Sequence, residues 1–182
     1  MIDSLVTETG FVESRAVTIS AAHVDAIASQ ILASKTNLYA VLDVVDEPAA
    51  AERAVENEGR YHNLYSGFAK RDYWAISPYL VLMQQEDFDW IRANLESSPW
   101  GIFAESEAEL SAVRQHFRKL LTVKDAQSGN HMLFRFYDPR VLPVFLESCS
   151  VEQARSFYGP ITKFYFFSEP NTVWQAELAE AL

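Results

Sequence analysis

The chain has 182 residues, 49% apolar and 22% charged, a balance that builds one ordinary core and lies far from disordered compositions. Lys and Arg total 15 against 25 Asp and Glu, a net charge of −10, which repels phosphate backbones and anionic headgroups, so neither nucleic acid nor a membrane is an expected partner. A single cysteine, Cys149, an N-terminus without the basic start and apolar stretch of a secretory signal, and the lack of any run of roughly 18 apolar residues together place the reading in the cytoplasm.

Behind Ser20, a candidate N-cap, Val24, Ile27, Ala28, Ile31 and Leu32 recur at helical spacing and predict an N-terminal helix over 20–35. NLYAVLDVV (37–45) is rich in β-formers and reads as a strand buried on both faces. Pro48 opens AAAERAVEN, a short helix ended by Gly59. SPYLVLM (77–83) reads as a second buried strand, DFDWIRANL (87–95) as a helix with Trp90, Ile91 and Leu95 inward, and WGIFAES as a third strand. Ser106 and Glu109 fit a capping box for a helix to Leu121, on which Leu110, Val113, Phe117, Leu120 and Leu121 form one stripe.

LLTVKDA and HMLFRFY flank a polar QSGN turn and predict an antiparallel hairpin, which makes the sheet mixed. Asp138-Pro139 starts a further helix carrying Val141, Leu142, Val144, Phe145 and Leu146, with Pro143 either in its first turn or breaking it. Ser150 and Gln153 fit another capping box, Gly159-Pro160 stops that helix, ITKFYFF supplies a last strand, and 173–182 reads as a short helix. The alternation of helix and strand predicts an α/β fold: a single domain over 1–182, with helices packed on the faces of a mixed β-sheet.

Chemistry is sparse. There is no phosphate-binding loop and no GxGxxG cluster among six glycines, so no nucleotide cofactor is expected. Tyr65-Ser66-Gly67 lacks the first glycine of a nucleophile elbow, and Ser66 reads as a turn residue. Cys149 reads as a buried thiol. His23, His62, His116 and His131 never fall at metal-ligand spacing, so no metal is expected, and His116 reads as a boundary residue of its helix. Asp43 and Asp138, each after a strand, are the one pair resembling an acid/base constellation; capping of backbone N–H groups is the competing reading. Aromatic residues make up 13% and serve cores first and interfaces second. Phe164 to Phe167 stand in one strand with two rings on each face, and an uncovered face would be a sticky edge or groove.

LYAVLD (38–43), NLYSG (63–67), SPYLV (77–81), WGIF (100–103), HFRKLLTV (116–123) and above all FRFYDPRVL (134–142) stand in this order. Together they resemble the type VI secretion effector adaptors, the Tap or Tec chaperones, a family carried as a domain of unknown function. The resemblance covers a family-like core of residues 37–167 and leaves a short tail, 168–182, where other members add a larger C-terminal helical lobe. It implies a non-enzymatic chaperone, encoded beside a secreted effector and a VgrG spike protein, that binds the effector's N-terminal region and loads it onto the spike.

The matched positions Trp100, Gly101, Arg135, Tyr137, Asp138, Pro139 and Arg140 also have a physical reading. Arg135 and Tyr137 share one strand face, with Phe134 and Phe136 on the other facing the core. Asp138 caps the next helix and pairs with Arg135 or Arg140 as a charged hinge, or else Trp100, Arg135, Tyr137, Asp138 and Arg140 contact a partner. Gly101 permits close packing. Two other functions stay open: an immunity-type inhibitor, whose acidic charge would suit a basic toxin, and a small hydrolase or transferase using Asp43 and Asp138.

Overall fold

The computed structural model describes residues 4–6, 12–18, 36–95, 99–124, 128–169 and 172–178. Its centre is an eight-stranded sheet of order β1-β2-β10-β9-β6-β3-β5-β4. These strands are β1 (Ser4–Val6), β2 (Val12–Thr18), β3 (Asn37–Leu42), β4 (Tyr61–Asn63), β5 (Tyr79–Leu82), β6 (Gly101–Ser106), β9 (Lys163–Glu169) and β10 (Thr172–Leu178). The remaining two, β7 (Thr122–Lys124) and β8 (His131–Leu133), pair among the described residues only with each other. Helices α1 (Pro48–Glu56), α2 (Gly67–Asp72), α3 (Gln85–Leu95), α4 (Leu110–Leu120), α5 (Leu142–Ser148) and α6 (Val151–Tyr158) connect the strands, and a 3-10 turn spans Trp74–Ile76.

Side-chain alternation on the central strands makes two cores. Tyr39, Val41, Ile102, Ala104, Phe164 and Phe166 point to the side where α4, α5 and α6 pack with Phe117, Leu146 and Phe157. Leu38, Ala40, Leu42, Val81, Phe103 and Tyr165 point to the other side, against Ala50 and Ala54 of α1 and Phe88, Ile91 and Leu95 of α3. The α/β class and the single domain are therefore as expected. The pairing is not mixed: every described strand pair is antiparallel. The crossovers through α1 and α3 each skip a position, so β5 and β6 come to lie on opposite sides of β3, both antiparallel to it.

The tail is corrected. Residues 172–178 are not helical but form β10, which pairs with β9 on one side and with β2 on the other. Ala176 is fully buried in the core of the α4–α6 face, and leaving β9 at an open edge would expose the flanks of a strand whose Phe164, Tyr165 and Phe166 are all buried. Neither face of that part of β9 is a sticky groove. The predicted helix over 20–35 lies outside the described residues.

Other boundaries moved for local reasons. Ser106 ends β6 instead of capping α4: its hydroxyl donates to the Pro160 carbonyl at 2.6 Å and accepts from the Ala108 N–H at 3.0 Å. Glu109 is the N-cap, without a side-chain bond. On α1 the C-cap is Asn57, not Gly59. Pro143 sits in the first turn of α5. The second capping box forms as expected, with Ser150 Oγ accepting from Gln153 N at 3.2 Å and Gln153 Oε1 accepting from Ser150 N at 2.8 Å, and Gly159, at φ 52°, ends the helix. Replacing Ser150 by alanine is expected to destabilise the protein by about 1 kcal/mol, read from urea denaturation midpoints at constant slope.

The outer edge strand β4 is guarded. Its Tyr61 N–H donates to Asn57 O at 2.9 Å and its Asn63 carbonyl accepts from the Arg114 guanidinium at 3.2 Å, so edge groups that would template another strand are already occupied. Beside it, Asp87 is fully buried and N-terminal in α3. Its oxygens accept from Tyr61 OH (2.7 Å), Arg60 (2.5 Å), Arg53 (3.4 Å) and the Gln84 N–H (3.0 Å). Nothing local in the sequence announces this network, since its cations come from 34 and 27 residues upstream.

Candidate functional site

Register brings the sequence blocks together. Leu42 lies opposite Tyr79 on β5 and opposite Gly101 on β6, and Tyr79 lies opposite Asn63 on β4. One end of the sheet thus carries Asp43, Asn63, the Ser77-Pro78 entry to β5 and Trp100. The FRFYDPR segment reaches the same place, because Arg135 binds Asp43 across 92 residues of chain.

The segment does so by leaving the strand. β8 ends at Leu133, and residues 134–141 form successive turns, with Asp138 N–H donating to Arg135 O and Val141 N–H donating to Asp138 O. The expected alternation of Phe134 and Phe136 against Arg135 and Tyr137 therefore fails: Phe136 and Tyr137 are both buried, and Phe134 is half-buried. Phe134 and Phe136 join a run of rings in which Phe134 meets Phe145 at 5.0 Å, Phe136 meets Phe117 at 5.2 Å, and Phe157 meets Phe164 at 5.0 Å. That cluster seats the loop on the core.

Four charges alternate along the loop. Asp43 Oδ2 accepts from Arg135 at 2.5 Å, Arg135 lies 3.7 Å from Asp138, and Arg140 grips Asp138 through Nε at 2.9 Å and a terminal nitrogen at 2.8 Å. The Arg140 N–H also donates to Asp138 at 2.9 Å. The charged hinge uses both arginines, and Asp138 caps a turn ahead of α5. Burial raises the Asp43 pKa above the usual carboxylate value even with Arg135 against it. Burial works the same way on Asp138, but the bonds and charges of Arg140, with Arg135 behind, outweigh it and the pKa is lowered. Both carboxylates are engaged with arginines. Tyr137, hydrogen-bonded to Tyr65, is pushed up by burial.

Exposure divides the predicted contact residues. Trp100, Tyr137 and Asp138 are buried, and the Trp100 carbonyl accepts from Asp43 N–H at 2.6 Å. The side chains of Arg135 and Arg140 remain 33% and 59% exposed, so these two are within reach of a partner. Gly101 has φ 151°, and a Cβ on it would stand 2.1 Å from Val41 O, which is the close packing expected of it.

The remaining candidates have structural surroundings. Ser66 is the N-cap of α2. Cys149 is buried, with burial raising its thiol pKa. His116 sits at the edge of its helix stripe, 2.7 Å from Phe157 O, with burial lowering its pKa. His23 lies outside the described residues. Among the described residues no group of three or more His, Cys, Asp or Glu is placed to hold a metal, and no helix is long and apolar enough to cross a membrane.

Sequence reasoning missed an exposed apolar surface. Phe68 on α2 is 76% exposed, and Tyr73, Trp74 and Ile76 lead from α2 into β5 at 55%, 43% and 46%. Val55, exposed on α1, belongs to the helix that packs beside the 3-10 turn. Arg71 lies over the Phe68 ring at 5.0 Å. The segment is fastened from inside, with Ser77 Oγ donating to Tyr73 O at 2.7 Å and Tyr79 OH donating to Trp74 O at 3.0 Å. Tyr73, Trp74 and Ile76 without a helical or strand period were its only signal.

A family model described as Domain of unknown function (DUF4123) matches residues 38–156. The chain belongs to this family. No curated protein and no solved structure matches it. The DUF4123 match runs from β3 into α6 and so holds every sequence block that meets at the sheet end. It stops short of β9, although β9 pairs directly with β6 and completes the sheet.

Proposed function

We propose that this protein is an adaptor that holds a secreted effector and loads it onto the VgrG spike of a type VI secretion machine, with no catalytic step of its own. The observation that carries this reading is the anchored, exposed surface of Phe68, Tyr73, Trp74 and Ile76. A group of exposed large apolar side chains close in sequence on a small acidic protein marks a place where another chain is bound, and Trp and Tyr are the residues that dominate such contacts. The order of the sequence blocks and the engagement of Asp43 and Asp138 by arginines support the same reading. An adaptor needs rigid walls and an apolar patch, and its affinity stays moderate because release is part of the task.

The test is co-expression with the effector encoded beside it, purification through a tag on this chain, and truncation of the effector. Recovery of the effector's N-terminal segment supports the adaptor. Recovery only of the toxic C-terminal domain replaces it with an inhibitor, and no recovery removes the adaptor reading. Trp74→Ala combined with Tyr73→Ala is expected to weaken capture by about tenfold or more, as loss of two interface aromatics does. Its melting temperature should stay near wild type, because both rings are exposed.

A further inference from the structure

The exposed aromatic surface lies in a stretch whose charges are unevenly satisfied. Residues 46–76 hold four Lys and Arg, and every one is in an ion pair. Arg53 and Arg60 turn inward to the buried Asp87, Lys70 takes Glu58, and Arg71 takes its neighbour Asp72. The same stretch holds six Asp and Glu. Of these, Glu52 and Glu56 are exposed on α1 and make no ion pair among the described residues.

Helix geometry places these two carboxylates. Ala50, Ala51 and Ala54 are the buried face of α1, and successive residues of a helix stand about 100° apart around its axis, so Arg53 and Val55 leave on opposite flanks. Arg53 takes the flank of α3, reaching Asp87 at 3.4 Å and lying over the Trp90 ring at 4.8 Å. Val55, exposed, takes the other flank, and Glu52 and Glu56 occupy the outer face next to it. This helix packs beside the 3-10 turn that carries Trp74, and Glu58 just beyond its end holds Lys70 of α2. The helix beside the exposed rings thus turns two unpaired carboxylates to solvent.

The rings themselves differ in what covers them. Phe68 already carries the Arg71 guanidinium over its face. Tyr73 and Trp74 have no cation and no other ring against them among the described residues. Bare aromatic faces and unpaired carboxylates accept one and the same group, a planar and weakly hydrated cation, and this stretch has no guanidinium left to supply it.

We propose that the segment docked on this surface is apolar and arginine-bearing, its guanidinium groups resting on Tyr73 and Trp74 and pairing with Glu52 and Glu56. The inference rests on the adaptor reading for the source of the segment, the effector, and adds its chemistry. A second copy of this chain fits less well, because two bodies of charge −10 repel each other.

The probe is a fluorescent amphipathic peptide of about 18 residues, five helical turns, with a Leu/Ile face bordered by Arg, added to the full chain and followed by anisotropy. Two counterparts carry Lys or Glu at every Arg position. The Arg peptide should bind about threefold more tightly than the Lys peptide and at least about tenfold more tightly than the Glu peptide. Trp74→Ala should weaken it about tenfold, and Glu52→Gln with Glu56→Gln about fivefold. Glu147→Gln with Glu152→Gln removes the same charge from exposed positions on α5 and α6, across the sheet, and should leave binding unchanged. All these side chains are exposed, and circular dichroism checks that each variant folds. No binding of the Arg peptide, equal binding of either counterpart, binding indifferent to both the Trp74 and the Glu52/Glu56 variants, or an equal loss in the Glu147/Glu152 control would each overturn the proposal. So would self-association of the chain in sedimentation that Trp74→Ala abolishes. Effector capture is scored separately: capture without binding of the Arg peptide removes this inference alone, and peptide binding without capture removes the adaptor reading while the chemistry of the surface stands.

Discussion

Gly101→Ala is expected to destabilise the protein by about 3–5 kcal/mol, the sum of a backbone forced into a conformation L-residues rarely adopt and a core that cannot expand. The added methyl would stand 2.1 Å from the Val41 carbonyl and 3.1 Å from Leu42 Cα, both backbone atoms of β3. Neither can retreat, because β3 is clamped between β5 and β6. Urea unfolding monitored by tryptophan fluorescence measures the loss, and Gly59→Ala, with nothing within 4 Å of the added atom, is the matched control. Equal midpoints for the two variants would show that the approach of β6 to β3 is looser than described.

Arg135→Met is expected to cost about 3 kcal/mol near neutral pH, because it leaves Asp43 buried and without its cation. The pH dependence distinguishes this cause from lost packing. Burial already raises the Asp43 pKa above its ordinary 3.8, and Arg135 supplies the main opposing contributions, so the variant raises it further. A carboxyl whose folded pKa exceeds its unfolded value costs stability as pH rises through that interval. The deficit of the variant should therefore be larger at pH 8 than at pH 5. Asp138 has the opposite sign, with its lowered pKa contributing stability above the unfolded value that is lost as pH falls through the folded one. It keeps Arg140 in both proteins, so its contribution largely cancels in the comparison. Equal deficits at the two pH values would mean that Asp43 is not left ionised and uncompensated.

Elements with one strong hydrophobic period were readable in advance. The runs that became β3, β5 and β6 are apolar on both faces because helices cover both, and the stripe of α4 buries Val113 and Phe117. The tail was misread because Ala, Glu and Leu favour a helix, while the period-two signal in 172–178 is short. The need of β9 for a neighbour decided the matter, and that is a tertiary fact. Ser106 satisfied a capping pattern yet serves a strand end, since its hydroxyl found the Pro160 carbonyl 54 residues away. At the site, the pairing of Asp138 with Arg135 and Arg140 followed from adjacency. The closure of Arg135 onto Asp43, the burial of Trp100 and Tyr137, and the exposure of Tyr73 and Trp74 depended on where the turns after β8 send the chain.

The position of β10 between β9 and β2 also orders events in time. Among the described residues β2 meets the central strands only through β10, so a chain emerging from the ribosome N-terminus first cannot seat β1 and β2 on the sheet until β10 has been made. Until then the flank of β9 stands open, an invitation to misassembly that synthesis of β10 withdraws. β2 and β10 also lie far apart in sequence, so their pairing closes a long loop, which makes this step a slow one in refolding as well.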